Sequence, residues 1–489
     1  MEWFRQFRRT GVNLQAPTDP RIPHTVPVPV REVLGVVQEY LDAGRLDAAG
    51  RMLGHVLDGC PGHADALHMQ GLVAHRRGQG PQALALLEQA VAAQPRSALF
   101  WRNLSEAART HGHADRALAA ARRAVALDPA DALGLFNLAM VHHDRLEIAD
   151  CLAAARASLD LKPGLPQAHM KLAQAHLLAG DLATGWHEYE WCYRIPGAAP
   201  LMPAHLLKTA LPTPDRPQCD GGALPHGRLL LVADQGYGDV IQFARYIPWV
   251  LGLCPQVTVA TSPELVVLLE RMFPGLDMVS RWEDAPGFVA YCPLSGLPRL
   301  HGTELGSIPA GIPYLTAAPE RAARWRGVLD GLVPPGLKRV GLFWAGRPTH
   351  NNDRNRSVAL AGLAPITDVD GVAFMSLQKG PAAREAEAHR GRAPLIDLDS
   401  RIDGFDDTAA IIDGLDLVIG VDTVVVHLAG AMGRPAWVML PYAPDWRWLL
   451  GRPDTPWYPS LRLFRQSSPH DWPGVATAVA EQLARFAAA

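Results

Sequence analysis

The segment DQGYGD, residues 234–239, places two glycines and a carboxylate directly after the apolar run 228–233. Gly236 and Gly238 allow the backbone to approach a ligand closely, and the N-terminus of the helical segment that follows favours an anion. Asp239 adds a carboxylate at the start of that helix, where simple N-terminal capping is the alternative role. Because Ile241 stands where a GxGxxG motif needs its third glycine, the segment is not a dinucleotide fingerprint. The chain also has no GxxxxGKS/T motif, which excludes a P-loop NTPase.

A second segment, WAGRPTHNNDRNRS at 344–357, concentrates positive charge after another apolar run. It carries Gly346 and the three guanidinium groups of Arg347, Arg354 and Arg356 within ten residues. Arginine forks match phosphate oxygens two at a time, so this loop suits a phosphate, and a solvated basic loop is the alternative.

The third segment runs from 417 to 441, where an apolar strand ends at Asp422 and Thr423 opens a helix. The Thr423 hydroxyl and the backbone N–H groups of the helix start suit a phosphate, and His427, one turn later, can add a donor. Asp422 could accept hydrogen bonds from sugar hydroxyls, although an aspartate at a strand end is often only a helix cap.

Strands that alternate with helices must position these loops. A first series of strands is expected at 228–233 and 257–261 and in DMVS and FVAYCPL, and a second at 339–346, 372–378, 395–398, 417–421 and 436–440, before a last helix at 470–487. Strand–helix alternation predicts parallel sheets, and the number of strands favours two Rossmann-like lobes around a cleft. Ligands of such sheets bind beyond the carboxyl ends of the strands, where the three segments lie.

The first half of the chain has an internal period of 34 residues. It is marked by Pro61, Pro95, Pro129 and Pro163, and by Gly44, Gly78, Gly112 and Gly180, with Leu146 in place of one glycine. Such a period predicts helix pairs that turn at the glycine and end before the proline, and it resembles the tetratricopeptide (TPR) repeat family. A TPR array implies a protein- or peptide-binding surface, while a spacer or dimerisation role is the alternative. The aromatic group Trp186, Tyr189, Trp191 and Tyr193 is expected to cap the array against the next domain.

Composition restricts the function classes. The 489 residues carry a net charge of −3 and are 48% hydrophobic, which argues against disorder and gives no basic footprint for nucleic acid. The six cysteines form no CxxC pair, so reduced thiols are expected rather than a zinc ribbon. No apolar stretch has the length of a membrane span and no apolar leader follows the N-terminus, so a cytoplasmic protein is expected.

The three segments, in this order on two Rossmann-like lobes, resemble the heptosyltransferase-like (family 9) glycosyltransferases of GT-B fold, and more closely the bacterial TPR-glycosyltransferases, including flagellin-modifying ones. The segments that carry this are QGYGDVIQFARY, WAGRPTHNNDRNRS, SLQKG, FDDTAAIIDGLDLVIGVDTVVVHLAGAMGRP and PDWRWLLGRPDTPWYPSLRLFRQ.

The resemblance implies a metal-independent, inverting glycosyltransferase without a cofactor. Asp239 is the implied general base, and His427 is the second implied catalytic residue. The nucleotide-sugar donor would be bound by Gly236, Gly238, Trp344, Gly346, Arg347, Arg354, Arg356, Gln378, Asp422 and Thr423. Val424 replaces the glycine that follows Asp-Thr in heptosyltransferases, which favours a nucleotide sugar other than a heptose donor. Two Asp-x-Asp pairs, at 368–370 and 397–399, are interpreted as ordinary loop carboxylates rather than metal ligands.

The expected organisation is an N-terminal extension at 1–29, about five TPR repeats at 30–199, a proline-rich linker at 200–227, an acceptor-side lobe at 228–335 and a nucleotide-sugar lobe at 336–489. The repeats would present a protein acceptor, with flagellin the leading candidate. Two alternatives remain open at this point. One is a TPR interaction scaffold with an inactive GT-B region, and the other is an O-GlcNAc transferase-like enzyme, for which the expected His- and Gly-rich loops are not found.

Overall fold

The structure is a computed structural model that describes residues 29–194, 213–350 and 352–489. Contacts between Cα atoms divide the chain into two compact units, residues 1–141 and 142–489. Residues 1–28 of the expected extension and residues 200–212 of the expected linker lie outside the described residues. Within the described part of the chain, no helix combines the length and the apolar character that crossing a membrane requires.

The first unit consists of helix pairs of the TPR type. Its helices are α1 (Val30–Asp42), α2 (Leu46–Gly59), α3 (Ala64–Arg76), α4 (Gly80–Ala93), α5 (Ala98–Thr110), α6 (Ala114–Leu127) and α7 (Ala132–Asp144), the last of which continues into the second unit. The turns within the pairs place Gly44, Gly78 and Gly112 at φ of 69°, 74° and 81°, which confirms that glycine supplies the left-handed turn. Inside one pair, Gly71 lies so close to Leu87 that an added Cβ would meet its Cγ at 2.7 Å.

The second unit begins with the remaining repeat helices. These are the end of α7, α8 (Ile148–Leu161), α9 (Pro166–Ala179) and α10 (Leu182–Tyr189), followed by a 3₁₀ turn at Glu190–Arg194. Leu146 adopts a φ of 58° at the place where the other turns have glycine, so the turn geometry persists without the residue that favours it. Trp186 packs edge-on against Trp446 at 4.9 Å and Phe243 at 6.0 Å between ring centroids. The aromatic group therefore caps the repeats against the α/β region, as expected.

Two parallel sheets follow, which confirms the predicted pair of Rossmann-like lobes. The first has β1 (Arg228–Val232), β2 (Gln256–Ala260), β3 (Asp277–Val279) and β4 (Ala290–Pro293) in the order β3-β2-β1-β4. The second has β5 (Lys338–Phe343), β6 (Val372–Ser376), β7 (Leu395–Asp397), β8 (Leu417–Val421), β9 (Ala436–Leu440) and β10 (Leu461–Arg465) in the order β10-β9-β8-β5-β6-β7. The sequence analysis did not predict β10.

Helices cover these sheets. They are α11 (Tyr237–Phe243), α12 (Ile247–Leu253), α13 (Pro263–Met272), α14 (Leu297–Leu300), α15 (Pro319–Leu332), α16 (Asp353–Arg356), α17 (Ala364–Thr367), α18 (Phe405–Asp413), α19 (Val424–Ala431) and α20 (Trp472–Ala488). The predicted last helix is confirmed by α20.

Helix α15 is fixed to α18 by one buried carboxylate. Asp407 Oδ1 accepts hydrogen bonds from Trp325 Nε1 at 2.9 Å, from Arg321 at 2.8 Å and from Arg324 at 2.7 Å. The backbone N–H of Asp403 donates to the other oxygen at 2.9 Å. Burial by itself would raise the pKa of Asp407, but these hydrogen bonds hold it below its usual value. Helix α15, which precedes the second sheet in the chain, therefore packs on α18, a helix of the second lobe.

The end of the proline-rich region joins the first sheet. Gln218 forms an isolated parallel bridge with Tyr291 of β4, and the backbone N–H of Cys219 donates to the Tyr291 carbonyl at 2.8 Å. Residues 195–212 are not described.

Candidate functional site

Both sheets contain a point where the strand order reverses, between β1 and β4 in the first and between β5 and β8 in the second. At such a point the loops that leave neighbouring strands run to opposite faces, and ligands bind in the crevice between them. The loop after β1 contains DQGYGD, and the loops after β5 and β8 contain the other two predicted segments. All three predicted segments therefore leave strands that flank a crevice.

Asp239 lies in the first turn of α11, and both of its carboxylate oxygens have a partner. Oδ2 accepts the backbone N–H of Gly236 at 3.1 Å, which is the capping role. Oδ1 forms a short ion pair with Arg447. The side chain is 26% exposed, so it can still meet a ligand.

Arg447 is a site residue that the sequence analysis did not predict. It lies in the loop after β9, in a short turn at Trp446–Trp448, and its Nε donates to Gln242 Oε1 at 2.7 Å. A second nitrogen pairs with Asp445 at 2.6 Å, and the guanidinium lies over the Trp446 ring at 4.4 Å from the centroid. Burial acts to lower the pKa of Arg447, but the surrounding aspartates raise it above its usual value, so the arginine stays charged. It joins the second sheet's loop to α11 of the first lobe.

Gly238, which was predicted to bind the donor, lies against the helix that carries His427. A Cβ at this position would lie 2.6 Å from Cδ2 of His427, so α11 and α19 meet here. Glycine is required because the imidazole ring occupies the space of a side chain.

His427 is a buried, neutral ring. Its Nδ1 shares a hydrogen bond of 3.0 Å with the Tyr458 hydroxyl, and its Nε2 lies 3.9 Å from Asp422 Oδ1. Burial, with the nearby arginines, holds the pKa of His427 well below its usual value. His427 therefore adds no positive charge for a phosphate, although a neutral imidazole still offers one N–H donor.

The loop after β5 is held by Gln378. The side-chain oxygen of Gln378 accepts the backbone N–H groups of Trp344 and Ala345, each at 2.9 Å, and its amide nitrogen donates to the carbonyls of Ala345 and Lys379, each at 3.0 Å. Trp344 is fully buried. Both residues were predicted to bind the donor, and in this structure they shape the loop from within the lobe.

Of the three predicted arginines, one turns toward the strand ends. Arg356 donates to the backbone carbonyl of Asp422 at 3.1 Å and lies under Gly346, where a Cβ would meet its Nη2 at 2.6 Å. Arg347 and Arg354 are exposed. The structure thus brings Gly346, Arg356 and Asp422 together and leaves the other two guanidinium groups at the surface of the loop.

Thr423 and Asp422 lie between the end of β8 and the start of α19. Thr423 is the N-cap of α19 but does not cap it with its side chain, and its Oγ1 is shielded from solvent with no hydrogen-bond partner among the described residues. A buried hydroxyl without a partner is costly and points to a ligand atom that supplies one. Burial and the charge of Asp445 raise the pKa of the neighbouring Asp422.

A second carboxylate at the first crevice, Asp234, was not predicted. It accepts hydrogen bonds from the backbone N–H of Ser295, at 3.1 Å, and from its hydroxyl, so the loops after β1 and β4 are joined at the crevice. Ser295 Oγ also bonds the Tyr193 hydroxyl of the last repeat segment at 2.7 Å. Burial raises the pKa of Asp234 to about 6, against the hydrogen bonds that lower it. Its place at the start of DQGYGD was the available sequence signal.

The two Asp-x-Asp pairs lie in local ion pairs and turns. Asp368 accepts the backbone N–H of Arg392 at 3.0 Å, and Asp399 pairs with Lys379 at 2.9 Å. Among the described residues, the group with the spacing of metal ligands is a different one, namely His142, Glu147 and Asp150. There His142 bonds Glu147 at 2.6 Å and Arg145 bonds it at 2.8 Å, which is a brace across the turn of that repeat.

Comparison with known proteins identifies the repeats. The model of the family described as "Tetratricopeptide repeat" matches residues 37–98 and 68–132. Three solved structures match about a third of the chain. They are MamA of Desulfovibrio magneticus RS-1 (17% identity, 34% of this chain and 94% of that one, TM-score 0.31), PilF of Pseudomonas aeruginosa (19%, 34% and 75%, 0.32) and a thermophilic TPR protein of Thermus thermophilus (23%, 34% and 91%, 0.31).

One curated relative extends into the α/β region. The protein FlbA of Caulobacter vibrioides is 29% identical over 352 residues, which cover 66% of this chain. The match spans 56% of the length of FlbA. The chain is thus a TPR protein, distantly related to FlbA, whose repeats are followed by two parallel α/β sheets.

Proposed function

We propose that this chain is a glycosyltransferase of GT-B type that moves a sugar from a nucleotide-sugar donor to a hydroxyl of a protein acceptor. The observation that carries the proposal is the placement of three groups at strand ends of two Rossmann-like lobes. They are a carboxylate, a buried arginine and a threonine hydroxyl that has no hydrogen-bond partner among the described residues. Asp239 stands at the first crevice, Thr423 at the second, and Arg447 reaches from the second lobe to the first. Crevices of this kind take phosphate-bearing ligands.

The donor phosphate is assigned to the start of α19. The Thr423 hydroxyl at the N-terminus of that helix is a donor, and Arg356 brings a positive charge to the carbonyl of the residue before it. Asp422 is placed to accept hydrogen bonds from sugar hydroxyls. These groups can stabilise the negative charge that develops on the departing phosphate without a metal ion.

The acceptor hydroxyl is assigned to the first crevice. Asp239 takes the hydroxyl proton while the acceptor oxygen forms its bond to the anomeric carbon. The bond from that carbon to the phosphate oxygen breaks, and its electron pair leaves with the nucleotide. Attack from the side opposite the leaving group inverts the anomeric centre.

The repeats would hold the protein acceptor. TPR helices are protein-interaction elements, and two exposed leucines recur at the same position of successive repeats. Leu99 is the second residue of α5 and Leu133 the second residue of α7, with exposures of 45% and 41%. They offer repeated apolar contacts to an acceptor chain, for which flagellin is our first choice.

The alternative is an interaction scaffold whose α/β region binds without catalysis. It is favoured by one observation, that both oxygens of Asp239 already have donors within the protein.

Intact-mass spectrometry of flagellin co-expressed with the full chain tests the proposal. We expect a mass increase of one or more sugar residues with the wild type, and a rate reduced by roughly 10²- to 10⁴-fold with Asp239→Asn, the usual contribution of a general base. Asp370→Asn is the matched control, because Asp370 is 79% exposed and lies just before β6, at the amino end of a strand rather than at the carboxyl ends that the site loops leave. Equal labelling by the wild type and Asp239→Asn would refute the role of Asp239. An unmodified flagellin, together with no binding of any nucleotide, would leave the scaffold as the function.

A further inference from the structure

Arg447 is unusual among the site residues because every face of its guanidinium is engaged. Nε is held by Gln242 and one terminal nitrogen by Asp445, while the other terminal nitrogen is paired with Asp239. The side chain is only 10% exposed and lies over Trp446. Trp446 is in turn packed against Trp186 of the last repeat, so the loop that carries Arg447 is held on both sides.

The charges around Arg447 do not suit an anionic ligand as they stand. Asp239 and Asp445 contact the guanidinium directly, and the arginine also lowers the pKa of Asp422, against burial, which raises it. A phosphate that arrives at Thr423 meets three carboxylates. It gains most if one of the arginine's carboxylate partners gives up its place, because the guanidinium can then pair with phosphate oxygens instead, and such a pair is strong in a water-poor site.

Of the partners of Arg447, Asp239 is the one placed to leave. Gln242 and Asp445 anchor two sides of the guanidinium, and Asp445 lies two residues away in the same turn. Asp239 belongs to the other lobe, is 26% exposed, and keeps its bond to Gly236 when it releases the arginine. The exchange therefore needs only a small rotation of one carboxylate.

We propose that Arg447 is a ligand of the donor phosphate and that it exchanges Asp239 for the phosphate when the nucleotide sugar binds. The exchange frees Oδ1 of Asp239 to accept the proton of the acceptor hydroxyl, so the base becomes available only in the donor complex. This inference rests on the proposed function and adds an order to it, in which donor binding precedes deprotonation of the acceptor.

Removal of the proposed catalytic carboxylate should strengthen nucleotide binding rather than weaken it. In Asp239→Asn no ion pair competes for Arg447, so the Kd of the bound nucleotide falls by about 10- to 100-fold, the range for a hydrogen bond to a charged group. Arg447→Gln weakens binding by a similar factor. When Arg447 is already replaced by glutamine, Asp239→Asn has no further effect on the Kd, because the arginine for which the carboxylate and the phosphate compete is absent.

Isothermal titration of the full chain with CMP, UDP, GDP and ADP measures these constants. Asp370→Asn serves again as the control and should bind as the wild type does. Arg447→Lys keeps the positive charge but cannot form two parallel hydrogen bonds to phosphate oxygens. It replaces Arg447→Gln if circular dichroism shows that the glutamine variant does not fold.

The outcomes separate the inference from the function it rests on. Tighter binding by Asp239→Asn that disappears when Arg447 is also replaced supports the exchange. Nucleotide binding by the wild type with equal or weaker binding by Asp239→Asn overturns the exchange but leaves the donor site intact. No binding of any of the four nucleotides, to either protein, overturns the proposed function itself.

Discussion

Replacement of Gly238 by alanine is expected to destabilise the second unit, although alanine is normally the better helix former. The new Cβ would lie 2.6 Å from Cδ2 and 3.2 Å from Nε2 of His427, well inside normal contact distance. The ring cannot easily retreat, because it is only 4% exposed and bonded to Tyr458, which itself packs against Gly430. One side of the contact must therefore move.

The magnitude follows from two opposing terms. Overpacking of a tight core costs about 1–3 kcal/mol, whereas alanine in a helix gains at most about 1 kcal/mol over glycine. Because the His427 ring cannot easily retreat, the upper half of the overpacking range applies, and the net effect is a destabilisation of roughly 1–2 kcal/mol. For a unit of this size that corresponds to a fall of about 1–3 °C in the midpoint of thermal unfolding.

Differential scanning calorimetry of the full chain is the assay, with Gly252→Ala as the matched control. Gly252 lies in α12, and the Cβ of an alanine there would meet no atom within 4 Å. Only the higher helix propensity of alanine then acts, so the midpoint of unfolding should rise slightly. Hydrogen exchange of residues 424–431 locates the effect, since strain at Gly238 should increase exchange in α19. A midpoint for Gly238→Ala equal to or above that of the wild type would refute the contact between α11 and α19.

Three more substitutions test other parts of the structure. The folded-state pKa of Asp407 is below the usual 3.8, so the stabilisation from its carboxylate is present above that pH and is lost as the pH falls through the folded value. The Asp407→Asn variant should therefore be less stable than the wild type by about 1–3 kcal/mol at pH 6, and it should lose less stability between pH 6 and pH 3. Urea titrations at each pH will measure both differences. Gly78→Ala should cost about 1 kcal/mol of stability, because Gly78 has a φ of 74° and an added Cβ would have no atom within 4 Å, so backbone strain is the only effect. Thermal unfolding measures the cost, with Gly54→Ala, at a helical glycine with equal space, as the comparison. Equal midpoints for the two variants would contradict the expected strain. Gln378→Met keeps the size of the side chain but removes its hydrogen bonds to the loop after β5, which should cost about 1–3 kcal/mol for each buried group left without a partner. Hydrogen exchange of the Trp344 and Ala345 amides should become markedly faster. Unchanged protection of these amides would show that Gln378 does not hold the loop.

Much of the fold could be predicted because its signals are local. The period of 34 residues and the short apolar runs each reflect neighbours in the chain, and the observed helix pairs and buried strands match them. The strand β10 escaped because it is the outermost strand of its sheet and alternates leucine with exposed or half-exposed arginines such as Arg462. Leu146, which departs from the glycine period, still adopts the left-handed turn with a φ of 58°.

The site was predictable only where a motif follows a strand. Asp239, Asp422 and Thr423 could be placed at strand ends from the sequence, whereas Arg447 pairs with a residue 208 positions away. Such a partner is set by how two lobes fold against each other, which no local pattern records. The same holds for Gly238, whose spacing suggested a ligand while the space is taken by His427.

The packing of Trp186 also bears on how this protein can be divided and recombined. Its indole is 2% exposed and rests on Phe243 and Trp446, one from each lobe, so the final helix pair belongs to the folding unit of the sheets as much as to the repeats. A fragment cut within the proline-rich region would uncover both aromatic partners. Recombination with a relative that exchanged the repeats should therefore preserve the chain from residue 142 onward, and the helices before it are the part free to change.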